Sequence, residues 1–81
     1  DVSMSVLSRF SKSIYEARKK KGLTQQQVAD AVSISVRWYQ YIEKESARPS
    51  AEVMLKIMMY LDIDIDSLRE EVNNDVSLYS R

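Results

Sequence analysis

The sequence predicts an all-α fold of five short helices, and three observations lead there. Glycine and proline occur once each in 81 residues, of which 44% are hydrophobic, a composition that favours a compact helical chain over disorder or a β fold. Hydrophobic residues recur at three- and four-residue steps, the period of a helix face. Helix-start residues precede those runs at Thr24, Ser35 and Ser50. A chain of this length makes one domain, small but able to build a single core.

The first helix is expected over about residues 6 to 20, where Leu7, Phe10, Ile14 and Ala17 form an inward stripe. Its end is basic, Arg18-Lys19-Lys20-Lys21, which suits a helix dipole as well as it suits phosphate contact. Thr24 with Gln27 three residues on is a capping box for the second helix, whose inward face is Val28, Ala29 and Val32. Ser33, Ile34 and Ser35 break that pattern. Ser35 caps a third helix ending near Lys44, with Tyr39 and Ile42 inward. Val36, Arg37, Gln40 and Tyr41 then share the outward side, since i, i+1, i+4 and i+5 lie together at 3.6 residues per turn. Such a face suits a partner better than water.

A polar connector, Lys44 to Arg48, ends at Pro49, and Ser50 caps a fourth helix running to about Tyr60 or Asp62. Met54, Ile57, Met58 and Leu61 fit its core stripe, while Val53, Leu55, Met59 and Tyr60 make it apolar beyond what one core face needs. A core filled by adaptable methionines is one account of this. A dimer surface built on Leu55, Met59 and Tyr60 is the account favoured here. Asp64 or Asp66 starts a fifth helix through Leu68 to about Val72, stopped by Asn73-Asn74-Asp75. Residues 1–72 are thus the domain. Residues 73–81 are either a frayed tail or the stub of a dimer-forming extension. A chain opening on Asp1 is expected of a processed or shortened polypeptide, with Met4 near its natural start.

Net charge is zero but unevenly spread. Residues 1–48 carry nine Lys/Arg against five Asp/Glu, a net +4, and residues 49–81 carry three against seven, a net −4. The first half has the footprint a polyanion requires, and the acidic half would face away from it. With no cysteine and no histidine there is no disulfide, thiolate or soft metal ligand, and no Gly-rich phosphate loop is present. An enzyme is therefore not expected, nor a cofactor. Asp62, Asp64 and Asp66 alternate as in a calcium loop, but the required glycine and distal glutamate do not follow, so no metal is expected. No apolar run reaches the roughly 20 residues of a membrane helix and nothing resembles a secretory signal. A cytoplasmic protein with no membrane partner is the default.

Arg18-Lys19-Lys20-Lys21-Gly22-Leu23-Thr24-Gln25, then Val28-Ala29, Ile34-Ser35, Ile42-Glu43 and Pro49-Ser50, resemble the helix-turn-helix domain of the phage repressor and Cro type, the XRE family of bacterial transcriptional regulators. The similarity spans about residues 5 to 68. It implies a lambda-repressor-like DNA-binding domain, and it pairs Arg18 with Glu43 as a partly buried ion pair locking the first helix onto the third. Two residues depart from the family pattern: Ser33 and Glu45 stand where glycines are usual. If φ is positive at these positions each costs roughly 0.5–1 kcal/mol.

The resemblance also assigns a DNA-binding set: Thr24, Gln25, Ser35, Val36, Arg37, Trp38, Gln40, Tyr41 and Lys44. Gln25, in the first turn of the second helix, is the family's phosphate-holding glutamine. Arg37 is readable as a solvated helix charge, but its place early in the third helix suits bidentate contact to guanine O6 and N7. Gln40 reads adenine or bridges through water, Val36 meets a thymine methyl, and Tyr41 stacks on a sugar or reaches a phosphate. Trp38 replaces the family's small hydroxyl residue, and either packs over the sugar–phosphate rail or folds back over Lys44. The expected partners are double-stranded DNA, a second copy of the chain and a protein effector, on a palindromic operator. The competing function is an interaction module, such as an antitoxin that binds a toxin or anti-repressor.

Overall fold

The structure is a computed structural model that describes residues 6–66 and 68. Four helices are delineated: α1 (Val6–Lys21), α2 (Gln25–Ala31), α3 (Val36–Glu43) and α4 (Ala51–Tyr60). Helical backbone starts again at Ile65, just where a fifth helix is expected. The rest of that helix, the Asn73-Asn74-Asp75 stop, the 73–81 tail and Met4 lie outside the described residues.

The caps form at the residues the sequence marks. Thr24 Oγ1 accepts from the Gln27 backbone N–H at 3.0 Å while Gln27 Oε1 accepts from the Thr24 N–H at 2.8 Å, closing the capping box. Ser35 Oγ accepts from Trp38 N–H at 3.0 Å and Ser50 Oγ from Val53 N–H at 3.2 Å. At the restart, Asp64 Oδ1 accepts from Asp66 N–H at 2.9 Å, which makes Asp64 the starting residue of the two considered. Each hydroxyl or carboxylate meets a donor the helix leaves unpaired.

All four helices end in the same way. Gly22, Ser33, Glu45 and Asp62 have φ of 71°, 63°, 64° and 57°. The following N–H in each case bonds back to a carbonyl five residues earlier: Leu23 to Arg18, Ile34 to Ala29, Ser46 to Tyr41, and Ile63 to Met58. This is the Schellman termination, normally a glycine position. Only one of the four is glycine. The residue after the left-handed position is a half-buried hydrophobe packed on the core at Leu23, Ile34 and Ile63, the contact that accompanies this motif and helps to hold it.

The core gathers one face of every helix. Phe10 and Ile14 of α1, Val28 and Ala29 of α2, Tyr39 and Ile42 of α3, and Ile57 and Met58 of α4 are buried together with Val32, Leu61 and Leu68. α3 packs on α1 and α2, and α4 on α2. A buried hydroxyl adds direction to this packing, since Ser11 Oγ donates to the Ile42 carbonyl at 2.6 Å. Two outward assignments need correction. Val36 and Val53 are half-buried against the core, so each offers only part of its side chain to solvent. Val36 opens α3, where side chains lean back toward the helix start and so over the turn. Val53 lies one turn ahead of Ile57 on the same stripe. Conversely Leu7, Ala17 and Met54 flank the core and are only half-buried.

Candidate nucleic-acid interface

The site is built around one carboxylate. Glu43, last residue of α3, accepts from Arg18 Nε at 2.7 Å and from Arg18 Nη2 at 3.1 Å, in the fork geometry that suits arginine to carboxylate. It also accepts from Tyr39 Oη at 2.5 Å and from Gln25 Nε2 at 3.0 Å. A carboxylate has about four lone-pair positions, and all are filled. The Arg18 and Glu43 side chains are only 9% and 5% exposed. Arg18 spends its remaining reach locally, donating from Nη1 to the Leu23 carbonyl at 2.9 Å and lying 5.5 Å from the Tyr15 ring centroid.

The charges follow the geometry. Burial pushes the Glu43 carboxyl up, but the hydrogen bonds from Arg18, Tyr39 and Gln25 outweigh it and hold the group below its ordinary value. The hydrogen bond to Glu43 raises Arg18 against its own desolvation. Burial, then the bond to Glu43, raises the Tyr39 phenol. The cluster is thus an ion pair with a neutral tyrosine at any ordinary pH.

Through Gln25 the cluster reaches the surface. With Nε2 committed to Glu43, the Gln25 carbonyl oxygen points the other way and accepts from Gln40 Nε2 at 3.2 Å. The start of α2 is therefore tied to the middle of α3. Along the outer side of α3, Arg37, Trp38 and Tyr41 are exposed, Trp38 by 39% and Tyr41 by 36%. Arg37 Nε donates to Tyr41 Oη at 3.0 Å, with its guanidinium carbon 5.9 Å from the Tyr41 ring centroid. Thr24 and Ser35 are exposed at the starts of α2 and α3, and Lys44 is exposed at the C-cap of α3. Both hydroxyls accept their cap hydrogen bonds, so each keeps an O–H to donate outward.

The basic run at the end of α1 divides. Lys19 and Lys20 are exposed, whereas Lys21 Nζ pairs with Asp62 Oδ2 at 3.0 Å across the α4 terminus. Asp62 is thus a helix-end residue with a lysine partner. On α4, Leu55, Met59 and Tyr60 are exposed by 50%, 76% and 42%. They line two grooves rather than one. Leu55 lines an apolar groove of about 580 Å³ with Val6, Met54, Ile65 and Leu68, while Met59 and Tyr60 line a smaller one beside Ala31, Val32 and Ser33.

Sequence reasoning missed several of these contacts. Tyr39–Glu43 and Arg37–Tyr41 are four apart on one helix, so helical spacing alone carries their signal. The Gln25 links to Glu43 and Gln40 depend on how two helices pack, which no local pattern records. Ser11 sits in line with Leu7 and Ile14 on α1, and a serine in a core stripe signals a buried hydrogen bond.

A helix-turn-helix family model matches residues 14–68. The uncharacterized HTH-type transcriptional regulator YqaE of Bacillus subtilis (strain 168) is 33% identical over 66 residues, covering 82% of this chain and 57% of that protein. The chain therefore corresponds to little more than half the length of this curated relative. No solved structure matches significantly.

Proposed function

The chain belongs to the helix-turn-helix family whose model it matches, and from that premise we propose that it is the DNA-binding domain of a transcriptional regulator, with α3 lying in the major groove. The observation that carries this is the contrast within α3. Its inner side is clamped by the Glu43 cluster while Arg37, Trp38 and Tyr41 stay exposed on its outer side. A helix presented in a fixed orientation, with large polar side chains outward, is what base reading requires.

In this reading Arg37 and Gln40 select base edges, and Val36 supplies apolar contact near the turn. Gln25, Thr24, Ser35, Lys44 and the exposed Lys19 and Lys20 position the domain on phosphates. Trp38 packs along the sugar–phosphate rail and Tyr41 faces the groove. Two copies bind a palindrome, joined through the apolar residues that α4 leaves in water. No helix among the described residues is long and apolar enough to cross a membrane.

The test is selection of bound sites from a random duplex pool, followed by affinity against salt. The expected result is a palindrome with half-sites about one helical turn apart and a binding constant that falls steeply with salt. Exposed Val6, Leu55, Met59 and Ile65 also favour a second reading, a protein-interaction module. That module would show neither site selection nor the counterion-release slope.

A further inference from the structure

Arginine reaching a groove from a solvated helix has many rotamers and five N–H donors, so it contacts phosphate and base with little discrimination. In this chain the rotamer is already restrained. Tyr41 lies one turn after Arg37, and side chains on a helix lean toward its start, which brings the phenol back over the arginine. The Nε donor is occupied by Tyr41 Oη at 3.0 Å, and the guanidinium carbon stands 5.9 Å from the ring centroid. We propose that Tyr41 is a positioning residue for Arg37, setting its guanidinium so that the Nη1–Nη2 edge faces the groove and selects guanine at one base position.

The chemistry follows from which donors remain. Once Nε is taken, the two terminal nitrogens form the single fork left free, and a fork of two donors matches the paired acceptors O6 and N7 of guanine. Adenine offers a donor beside its N7 and cytosine offers a donor, so both leave an N–H unmatched. A tyrosine ring has only two side-chain torsions and orders its neighbour at small entropic cost. The restraint is present before DNA arrives, so binding loses less side-chain freedom. Tyr41 acts through Arg37 and reads no base itself.

The proposal rests on α3 being the DNA-reading helix, and its test separates the two. Site selection and affinity on guanine-substituted duplexes are measured for the full chain and for Arg37→Ala, Tyr41→Phe and their combination, with melting temperatures as a check on folding. Tyr41→Phe keeps the ring and removes only the hydroxyl. It is expected to reduce the guanine preference at the Arg37 position by roughly two- to tenfold, leaving other positions unchanged. Arg37→Ala should abolish that preference, and the double variant should match it there. Tyr41→Leu, which removes ring and hydroxyl together, should relax the preference further than Tyr41→Phe. An equal loss on every sequence would mean that the hydroxyl serves a phosphate, and would overturn the proposal. So would a changed preference at a different base pair, or additive effects in the double variant. If the unaltered chain selects no sequence, the DNA-reading role of α3 fails, and the proposal with it.

Discussion

Glu43 accepts hydrogen bonds from α1, from α2 and from its own helix, so its removal and its protonation have different readouts. Arg18→Met leaves the carboxylate buried with its charge uncompensated and should destabilise the fold by about 3–5 kcal/mol in denaturant melts. Adding Glu43→Leu should restore only part of that loss, because Tyr39 Oη and Gln25 Nε2 then lose their acceptor. The pH dependence has a definite sign. Glu43 is held below its ordinary value, so its contribution is present above the unfolded glutamate value and is lost as pH falls through the folded one. Tyr39 is raised, so its contribution is present below the unfolded phenol value and lost as pH climbs past it. A stability profile of Glu43→Gln should lack the acid limb, and one of Tyr39→Phe should lack the alkaline limb. The Arg18–Glu43 pairing was legible through family resemblance, whereas the Gln25 and Gln40 links were not, because they join residues fifteen or more apart. They predict that Gln25→Ala alters base preference near Gln40 as well as lowering affinity overall. Selection on that variant checks it, and a uniform loss would confine Gln25 to phosphate.

At the scale of the helix, beginnings were easier to read than ends. A start is a local chemical event, a side-chain oxygen meeting a backbone N–H two or three residues on, and Thr24, Ser35 and Ser50 announce it in the sequence. An end is a backbone conformation, and its usual marker is glycine. Three of the four ends here carry other residues, so Ser33 and Glu45 were recognisable only as departures from a pattern, and Asp62 was one of two candidate ends for the fourth helix. Ser33→Gly and Glu45→Gly should each stabilise the domain by about 0.5–1 kcal/mol, read as a rise in urea midpoint at constant slope. A fall instead would mean that the side chains make compensating contacts. The two valines placed outward by simple periodicity, Val36 and Val53, show the other limit of a helical wheel. It ignores the lean of side chains toward the helix start, which matters most in the first turn.

For the molecule as a whole, composition and periodicity were enough for an all-α fold with one core, because each helix presents a single apolar face to it. They could not show how the apolar excess of α4 divides. By the angle per residue, Met59 lies roughly opposite the core stripe, with Leu55 and Tyr60 on either side of it. Leu55→Lys with Met59→Lys should therefore leave the fold intact, yield a monomer in sedimentation and weaken palindrome binding strongly. An unchanged dimer would place the contact elsewhere. The four donors on Glu43 have one more consequence, which concerns motion in the absence of any ligand. Because α1, α2 and α3 converge on one saturated carboxylate, none of them can detach without breaking hydrogen bonds to that buried group. Their amide protons should exchange with deuterium through one shared opening, with similar protection in all three helices, while α4, which sends no donor to Glu43, opens by itself. In Glu43→Gln that common protection should split into separate values, helix by helix.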